Sequence, residues 1–198
     1  MKLLHTMSGP PPGRRGLRWC RAPVARRTGH SLVLWLAVLA ACSPTLDWRE
    51  VRPAGSSVQL LMPCKPDSHE RRLLLAGQPA RLALHVCSAG DQTWSLAFAD
   101  VGDPARLGDV MQQLLQAARA NVSASGGTQA AALRVPGATP HDASQSQAFR
   151  GRLADGKAVQ MQVAVFAHGT QVFQATALGR ELPADGVLTF MDSIRFAR

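Results

Sequence analysis

The cysteines Cys64 and Cys87 are the side chains beyond residue 45 whose chemistry is easiest to foresee. An isolated cysteine pair in an oxidising compartment is most simply a disulfide, and this one would close a loop of about 24 residues, worth about 3 kcal/mol. A metal site is an alternative, because His85 lies near Cys87 and His69 lies near Cys64. The chain lacks the C-x-x-C spacing typical of zinc sites and thiol redox enzymes. We therefore predict a structural disulfide, with free or redox-labile thiols and a metal site as the alternatives.

Two other histidines, His141 and His168, are the candidates for acid–base catalysis. His141 is followed by Asp142, and Ser144 lies near, so the residue types of a hydrolase occur within four positions. There is no G-x-S-x-G motif, and a His-Asp pair in a loop after a proline is more typical of a solvated turn. Catalysis by His141 or His168 is therefore the alternative to a non-enzymatic protein.

Asp100, Asp103 and Asp109 surround the start of a predicted helix and could bind a cation. Asp103 is better explained as the residue that caps this helix, with the other carboxylates near its positive end. The sequence contains neither an H-x-x-x-H motif nor a G-x-x-x-x-G-K-[ST] phosphate-binding loop. We predict no cofactor and no metal.

A third cysteine, Cys42, ends the stretch Leu39-Ala40-Ala41-Cys42. This stretch follows a basic segment and an apolar run, Leu32–Leu39, which is much shorter than the roughly 20 residues that span a bilayer. Leu-Ala-Ala-Cys resembles the bacterial lipoprotein motif at every position. The resemblance implies that residues 1–41 are a cleaved signal peptide and that Cys42 becomes a lipid-bearing N-terminus. The alternative is an ordinary signal peptide with a chance cysteine.

The same resemblance gives a location. In many Gram-negative bacteria an aspartate after the lipidated cysteine favours retention in the inner membrane, whereas here the residue is Ser43. The expectation is therefore a protein at the periplasmic face of the outer membrane, with residues 42–56 as a lipidated N-terminus and short tether. Residues 57–198 would form a single periplasmic domain.

The charge of the chain is concentrated in its first 41 residues. The full chain carries 22 basic and 13 acidic residues, a net charge of +9. Seven of the basic residues and none of the acidic ones lie in residues 1–41, which leaves a net charge of +2 for residues 42–198. A nearly neutral domain lacks the basic surface expected for nucleic-acid binding. We predict no nucleic-acid partner.

Alternation of apolar and polar residues predicts the strands that must position these side chains. The predicted strands are 57–62, 71–76, 80–87, 93–99, 147–153, 157–167 and 171–178. Turns are predicted around Gly77-Gln78-Pro79 and at Ala154-Asp155-Gly156, the latter a hairpin signal.

Two helices are predicted as well. The first follows Asp103 and Pro104, and its apolar residues form one stripe that we expect to cover a sheet: Leu107, Val110, Met111, Leu114, Leu115 and Ala118. A short second helix follows Leu182-Pro183, and Arg195-Phe196 closes the chain as an extended piece.

This order of elements predicts an α+β fold, with an antiparallel sheet packed by one long amphipathic helix and a short C-terminal helix. The opening strand Val58–Pro63, the central helix and the ending Phe190–Phe196 resemble the PsbP-like superfamily, which includes the periplasmic DcrB-like lipoproteins. The resemblance spans residues 57–196 as a pattern, and the Cys64/Cys87 pair is not part of it. Proteins of this kind are mostly non-catalytic binding or assembly modules.

The sequence as a whole predicts a non-enzymatic, membrane-anchored lipoprotein that acts as a binding or assembly accessory, with an envelope protein as its partner. Trp48, near the tether, either touches lipid or a partner or, as we expect, packs onto the edge of the domain. One alternative is a small-ligand or lipid carrier, which needs an apolar cavity of roughly several hundred Å³ between helix and sheet. The other is an envelope hydrolase.

Overall fold

A computed structural model describes residues 46–196, and antiparallel strands dominate this part of the chain. The strands are β1 (Arg49–Val51), β2 (Val58–Met62), β3 (Asp67–Leu75), β4 (Gln78–Ala89), β5 (Gln92–Asp100), β6 (Gly126–Gly127), β7 (Ala131–Ala132), β8 (Gln145–Arg152), β9 (Ala158–His168), β10 (Gln171–Gly179) and β11 (Arg195–Phe196). The larger sheet has eight strands in the order β3-β4-β5-β10-β9-β8-β6, with β7 also paired to β8. The smaller sheet has the order β1-β2-β11.

Two helices complete the described fold: α1 (Leu107–Asn121) and α2 (Ala184–Asp192). A short 3₁₀ turn, Pro104–Arg106, leads into α1, and the Asp103 carboxylate accepts a hydrogen bond of 2.9 Å from the backbone N–H of Ala105. Asp103 therefore caps the entry to this helical segment, as its residue type predicts. The six apolar residues of the predicted stripe are the buried residues of α1.

The predicted α+β class is wrong, because strands make up 48% of the described residues and helices only 18%. One reason is that several strands extend beyond the alternating segments; β3, for example, begins at Asp67 and runs through charged residues. The other is that α1 covers only one face of the large sheet, whereas the small sheet and α2 together cover the other. The fold is therefore mainly antiparallel β rather than a sheet packed by one long helix.

The large sheet has an apolar cluster on each face. On the first, which we call the α1 face, α1 packs against aliphatic residues that include Val163, Val165 and Val172. On the second, the aromatic face, Trp94, Phe166 and other rings pack against the small sheet and α2. Strand β9 is buried on both sides over residues 163–167.

The β3–β4 hairpin forms one edge of the large sheet. Its turn consists of Ala76 and Gly77, both with positive φ (46° and 77°), rather than the predicted Gly77-Gln78-Pro79. The Gln113 side chain of α1 binds the backbone at this turn, donating to the carbonyl of Leu74 (3.1 Å) and accepting from the N–H of Ala76 (2.6 Å). The tip of the hairpin is thereby fixed to α1.

Candidate functional site

The predicted lipidation and sorting residues, Cys42 and Ser43, lie outside the described residues. The described chain begins at Leu46, which packs against α2. A β-carbon at Gly186 of α2 would lie in ordinary van der Waals contact with Leu46 Cδ1 and with the Trp94 ring, each at 3.5 Å. The backbone N–H of Asp47 donates a hydrogen bond of 2.8 Å to the carbonyl of Pro63. The chain is thus bound to the fold from its first described residues onward.

The predicted disulfide between Cys64 and Cys87 is confirmed, with the two Cα atoms 5.9 Å apart. It joins the segment between β2 and β3 to β4, where Cys87 lies opposite Trp94 in the neighbouring strand. Because each sulfur is bonded to the other, neither is free to bind a metal or to act as a redox thiol. Within residues 46–196, no three His, Cys, Asp or Glu side chains come together as a metal site.

Trp48 packs onto the domain edge, as expected from its position near the tether. Its ring meets that of Trp94 edge-on at 5.9 Å between centroids, and Trp94 in turn meets Phe190 at 5.4 Å. Trp94 is fully buried and Trp48 is half-buried. Trp94 therefore links the residues around it: it contacts Trp48 and Phe190 of α2, and it lies opposite the disulfide-bonded Cys87.

His85 lies on the same face of the sheet and is held by two contacts. Ser68 Oγ lies 2.9 Å from its Nδ1, and its ring stacks on that of Phe98 at 6.0 Å between centroids. Burial lowers the pKa of His85 below its ordinary value of 6.5, because the charged imidazolium loses hydration there. With Ser68 on Nδ1 and the phenyl ring of Phe98 against its face, His85 connects β4 to both neighbouring strands.

The two histidines proposed for catalysis are engaged by the backbone. His141 Nδ1 accepts a hydrogen bond of 3.0 Å from the N–H of Ala143, which makes it part of a turn. His168 Nδ1 donates to the carbonyl of Gly137 at 2.9 Å, and its ring stacks on Phe196 at 4.2 Å. The Ser144 hydroxyl has no hydrogen-bond partner among the described residues, so neither histidine activates it. This geometry does not favour the hydrolase alternative.

The three aspartates near α1 have separate local roles. Asp103 caps the helical segment, and Asp100 Oδ1 accepts a hydrogen bond of 2.8 Å from the N–H of Gly102. Asp109 lies in the first turn of α1. These are the contacts of carboxylates that stabilise a turn and a helix start.

The interface between α1 and the sheet is filled with side chains. Val110 and Met111 of α1 and Val163 and Val165 of β9 have no exposed surface, and the rest of the helix stripe is buried as well. The place where a carrier cavity would be expected is therefore occupied by core residues. Two of the open surfaces of the described residues include residues of the aromatic-face cluster in their lining.

The first of these surfaces is a groove of about 580 Å³ between α2 and strands β8 and β9, which we call the α2 groove. Its wall consists of Leu182, Val187 and Leu188, and its floor includes the amides of Gln160 and Gln162. Leu188 is 57% exposed, one of two large apolar side chains in the described residues with this much exposed surface, the other being Leu74. Sequence reasoning missed this groove, although Leu188 falls outside the aligned apolar residues of α2 and could have signalled it.

The second surface is a pocket of about 520 Å³ beneath the loop that precedes β8, which we call the loop pocket. Leu133, Val135 and Phe166 form apolar lining, and His141 and Ser144 lie at its polar side. The structure thus brings these two predicted residues to one pocket, where the Ser144 backbone N–H donates a hydrogen bond of 2.9 Å to the His141 carbonyl while the two side chains are not hydrogen-bonded to each other.

Comparison with known protein families and with curated proteins finds no match for the chain. The resemblance to PsbP-like and DcrB-like proteins stays a prediction. None of the helices described between residues 46 and 196 has the length and apolar character needed to cross a membrane.

Proposed function

We propose that this chain is a non-enzymatic lipoprotein, anchored through Cys42 at the periplasmic face of the outer membrane, that acts as a binding or assembly accessory of the cell envelope. The observation that carries the proposal is the contact of Leu46 with α2, beside the α2 groove. Leu46 lies four positions after Cys42, and four steps of extended chain span at most about 14 Å. A lipid on Cys42 would therefore keep the α2 side of the domain close to the bilayer.

The α2 groove is the surface we propose for an envelope protein partner. An exposed leucine beside amide groups provides both apolar contact and hydrogen bonding, the combination found in protein interfaces. Tethering raises the effective concentration of the groove toward other membrane-bound components, so a weak contact suffices. The disulfide and the two tryptophans keep this side of the domain rigid.

The anchor is tested by Cys42→Ala, with Cys20→Ala as the matched control. We expect the native chain and the Cys20 variant in the membrane fraction and the Cys42 variant in the soluble fraction. A Cys42 variant that remains with the membrane refutes the lipid anchor.

Ser43→Asp tests the sorting separately: we expect a shift from outer- to inner-membrane fractions, and unchanged fractionation refutes that step.

The groove is tested by crosslinking in intact cells, followed by purification of the chain and identification of what is attached. Leu188→Glu places a charge in the groove, and Leu74→Glu places the same charge on the other exposed leucine, which is 59% exposed. We expect one recurrent envelope partner with the native chain and the Leu74 variant, and its loss with the Leu188 variant. Equal capture by both variants refutes the groove as the binding surface.

The loop pocket supports a second candidate, the binding of a small ligand. Its Ser144 hydroxyl is buried and has no partner within the described part of the chain, which is unusual for a polar atom and favours a polar group of a ligand or a water at that point. Native mass spectrometry of the purified protein tests this candidate. A bound small molecule that is lost in Ser144→Ala supports it, and a bare protein in both cases refutes it.

A further inference from the structure

We propose that two copies of this chain pair through strand β3, which becomes the centre of a continuous sheet across both. Strand β3 forms the end of the eight-stranded sheet, and no other described strand pairs with its outer side. Six consecutive residues, 67–72, are exposed. An edge of this length presents unpaired backbone groups that can hydrogen-bond to another strand.

The two-residue turn determines which backbone groups face outward. Leu75 lies opposite Gln78 as the closing pair, so Leu75 and every second residue before it bond to β4. The residues between them, Ser68, Glu70 and Arg72, direct their N–H and C=O groups away from β4. Two observations agree with this alternation: Leu74 lies opposite Pro79, which has no N–H, and the Leu74 carbonyl accepts from Gln113 instead.

The outer edge of β3 is held rigid at both ends. At the tip, Gln113 binds the turn and the Arg106 guanidinium donates to the Leu75 carbonyl. At the base, the disulfide ties Cys64, three residues before β3, to Cys87 of β4. An edge ordered in advance loses little conformational entropy when it pairs.

The side chains of β3 favour a second copy of this chain as the pairing strand, because their charge pattern is complementary to itself. Asp67, His69 and Arg71 point to one face of the strand, two residues apart. In an antiparallel pair with His69 at the symmetry axis, Asp67 of each copy lies opposite Arg71 of the other. Centring the pair on Glu70 or on Arg71 instead would place that residue opposite its own copy, with repulsion between like charges. The charges thus favour a second copy in the register centred on His69, where two Asp67–Arg71 pairs form, over the registers centred on Glu70 or Arg71.

A contact along one strand edge is small, so the dimer is expected to be weak in dilute solution. It does not require the lipid anchor, although confinement to a membrane would strengthen it. The proposal is therefore independent of the proposed function, and it is tested by the pattern of crosslinks in the purified full chain.

The first experiment places single cysteines on β3 and oxidises the protein mildly. His69→Cys would bring two sulfurs into a non-hydrogen-bonded pair with Cα atoms about 4.5 Å apart, a separation that a disulfide can bridge. Leu74→Cys is the matched control, because the two copies of this residue would lie roughly 34 Å apart in the same register. We expect roughly tenfold more covalent dimer with His69→Cys than with Leu74→Cys. The parent chain, oxidised alongside, accounts for Cys20 and Cys42.

A mixed pair tests the register. Asp67→Cys and Arg71→Cys should crosslink when mixed, whereas Asp67→Cys alone should not, since its two copies would lie roughly 14 Å apart. Equal dimer from His69→Cys and Leu74→Cys overturns the proposal. A His69 crosslink without the mixed crosslink overturns the register.

Charge exchange tests the cause by comparing variants that are oxidised under the same conditions. In the His69→Cys background, Arg71→Asp should reduce the dimer by roughly tenfold, because two attractive pairs become repulsive. The double exchange Asp67→Arg with Arg71→Asp should restore it, since both pairs re-form with their signs reversed. A double variant as weak as the single one would show that the charges do not select the partner. Retention of the native far-ultraviolet circular dichroism spectrum serves as the folding control for each variant.

Discussion

The two faces of the large sheet are covered in different ways. On the α1 face a single helix with one apolar stripe packs against mostly aliphatic strand residues. On the aromatic face three short strands and α2 pack against rings that contact each other, and the disulfide lies within the same cluster. The element that packs on the α1 face is continuous in sequence, whereas the elements that pack on the aromatic face come from segments as far apart as β1 and β11. The comparison shows that a contiguous pattern can account for one half of this core but not for the other.

The largest expected effect on the free energy of unfolding comes from replacing one buried phenylalanine on each face by alanine. Phe173 on the aromatic face stacks with Phe98 and Phe166 and meets Phe196 edge-on, at 5.1–5.6 Å between centroids. Phe149 is buried on the α1 face, in a largely aliphatic cluster. Each change to alanine should cost about 3–5 kcal/mol, with Phe173→Ala the more costly by about 1 kcal/mol because it also loses aromatic pairs. Urea unfolding of both variants measures this, and equal losses would show that the ring contacts add nothing beyond burial.

The next effect concerns the covalent link, which only the aromatic face has among the described residues. Replacing Cys64 and Cys87 together by alanine should lower the free energy of unfolding by about 3 kcal/mol, since the unfolded chain regains the freedom of a closed loop of that size. Because the disulfide lies beside Trp94, we expect tryptophan fluorescence to report this loss as an earlier denaturation midpoint. Addition of a reductant to the native chain is the control. An unchanged midpoint in the variant would mean that ring packing alone holds this face.

The sequence predicts those parts of the molecule whose signals are local. The stripe from Leu107 to Ala118, the cap at Asp103 and the disulfide all depend on residue types at fixed spacing, and each is confirmed. The α+β class was wrong because the cover of the aromatic face depends on contacts between distant segments. Val58 to Met62 carries an alternating pattern, but that pattern does not reveal that Arg49–Val51 and Arg195–Phe196 will flank it.

The candidate surfaces could be predicted even less. His141 and Ser144 are close in sequence, and they line one pocket. The sequence does not reveal that the Ala143 N–H donates a hydrogen bond to His141 Nδ1. The α2 groove exists because Leu188 projects from a short helix onto a sheet surface formed by β8 and β9. Such a surface depends on tertiary placement rather than on a motif.

A smaller effect should distinguish the attachment of α1 to the hairpin from its packing. Gln113 makes two hydrogen bonds to the exposed turn of β3–β4, to Leu74 and Ala76, but it is not part of the buried stripe. Gln113→Ala should cost about 1 kcal/mol in global stability. Amide hydrogen exchange should accelerate mainly at residues 73–78, with α1 itself unaffected. Gln112→Ala, on the exposed side of the same helix, is the control, and equal exchange in both variants would contradict a fixed hairpin tip.

The smallest effect tests the aromatic face through pH. Burial holds the pKa of His85 below 6.5, so the unfolded chain binds a proton at this residue before the folded chain does. The stability that neutral His85 contributes is therefore fully present above about pH 6.5 and is lost as the pH falls toward the lowered pKa. The free energy of unfolding should decline more steeply between about pH 7.5 and 5.5 in the native chain than in His85→Gln, which cannot take up this proton. The remaining histidines contribute equally to both proteins, so the difference between the two slopes isolates His85, and identical slopes would place its ring in water rather than against Phe98.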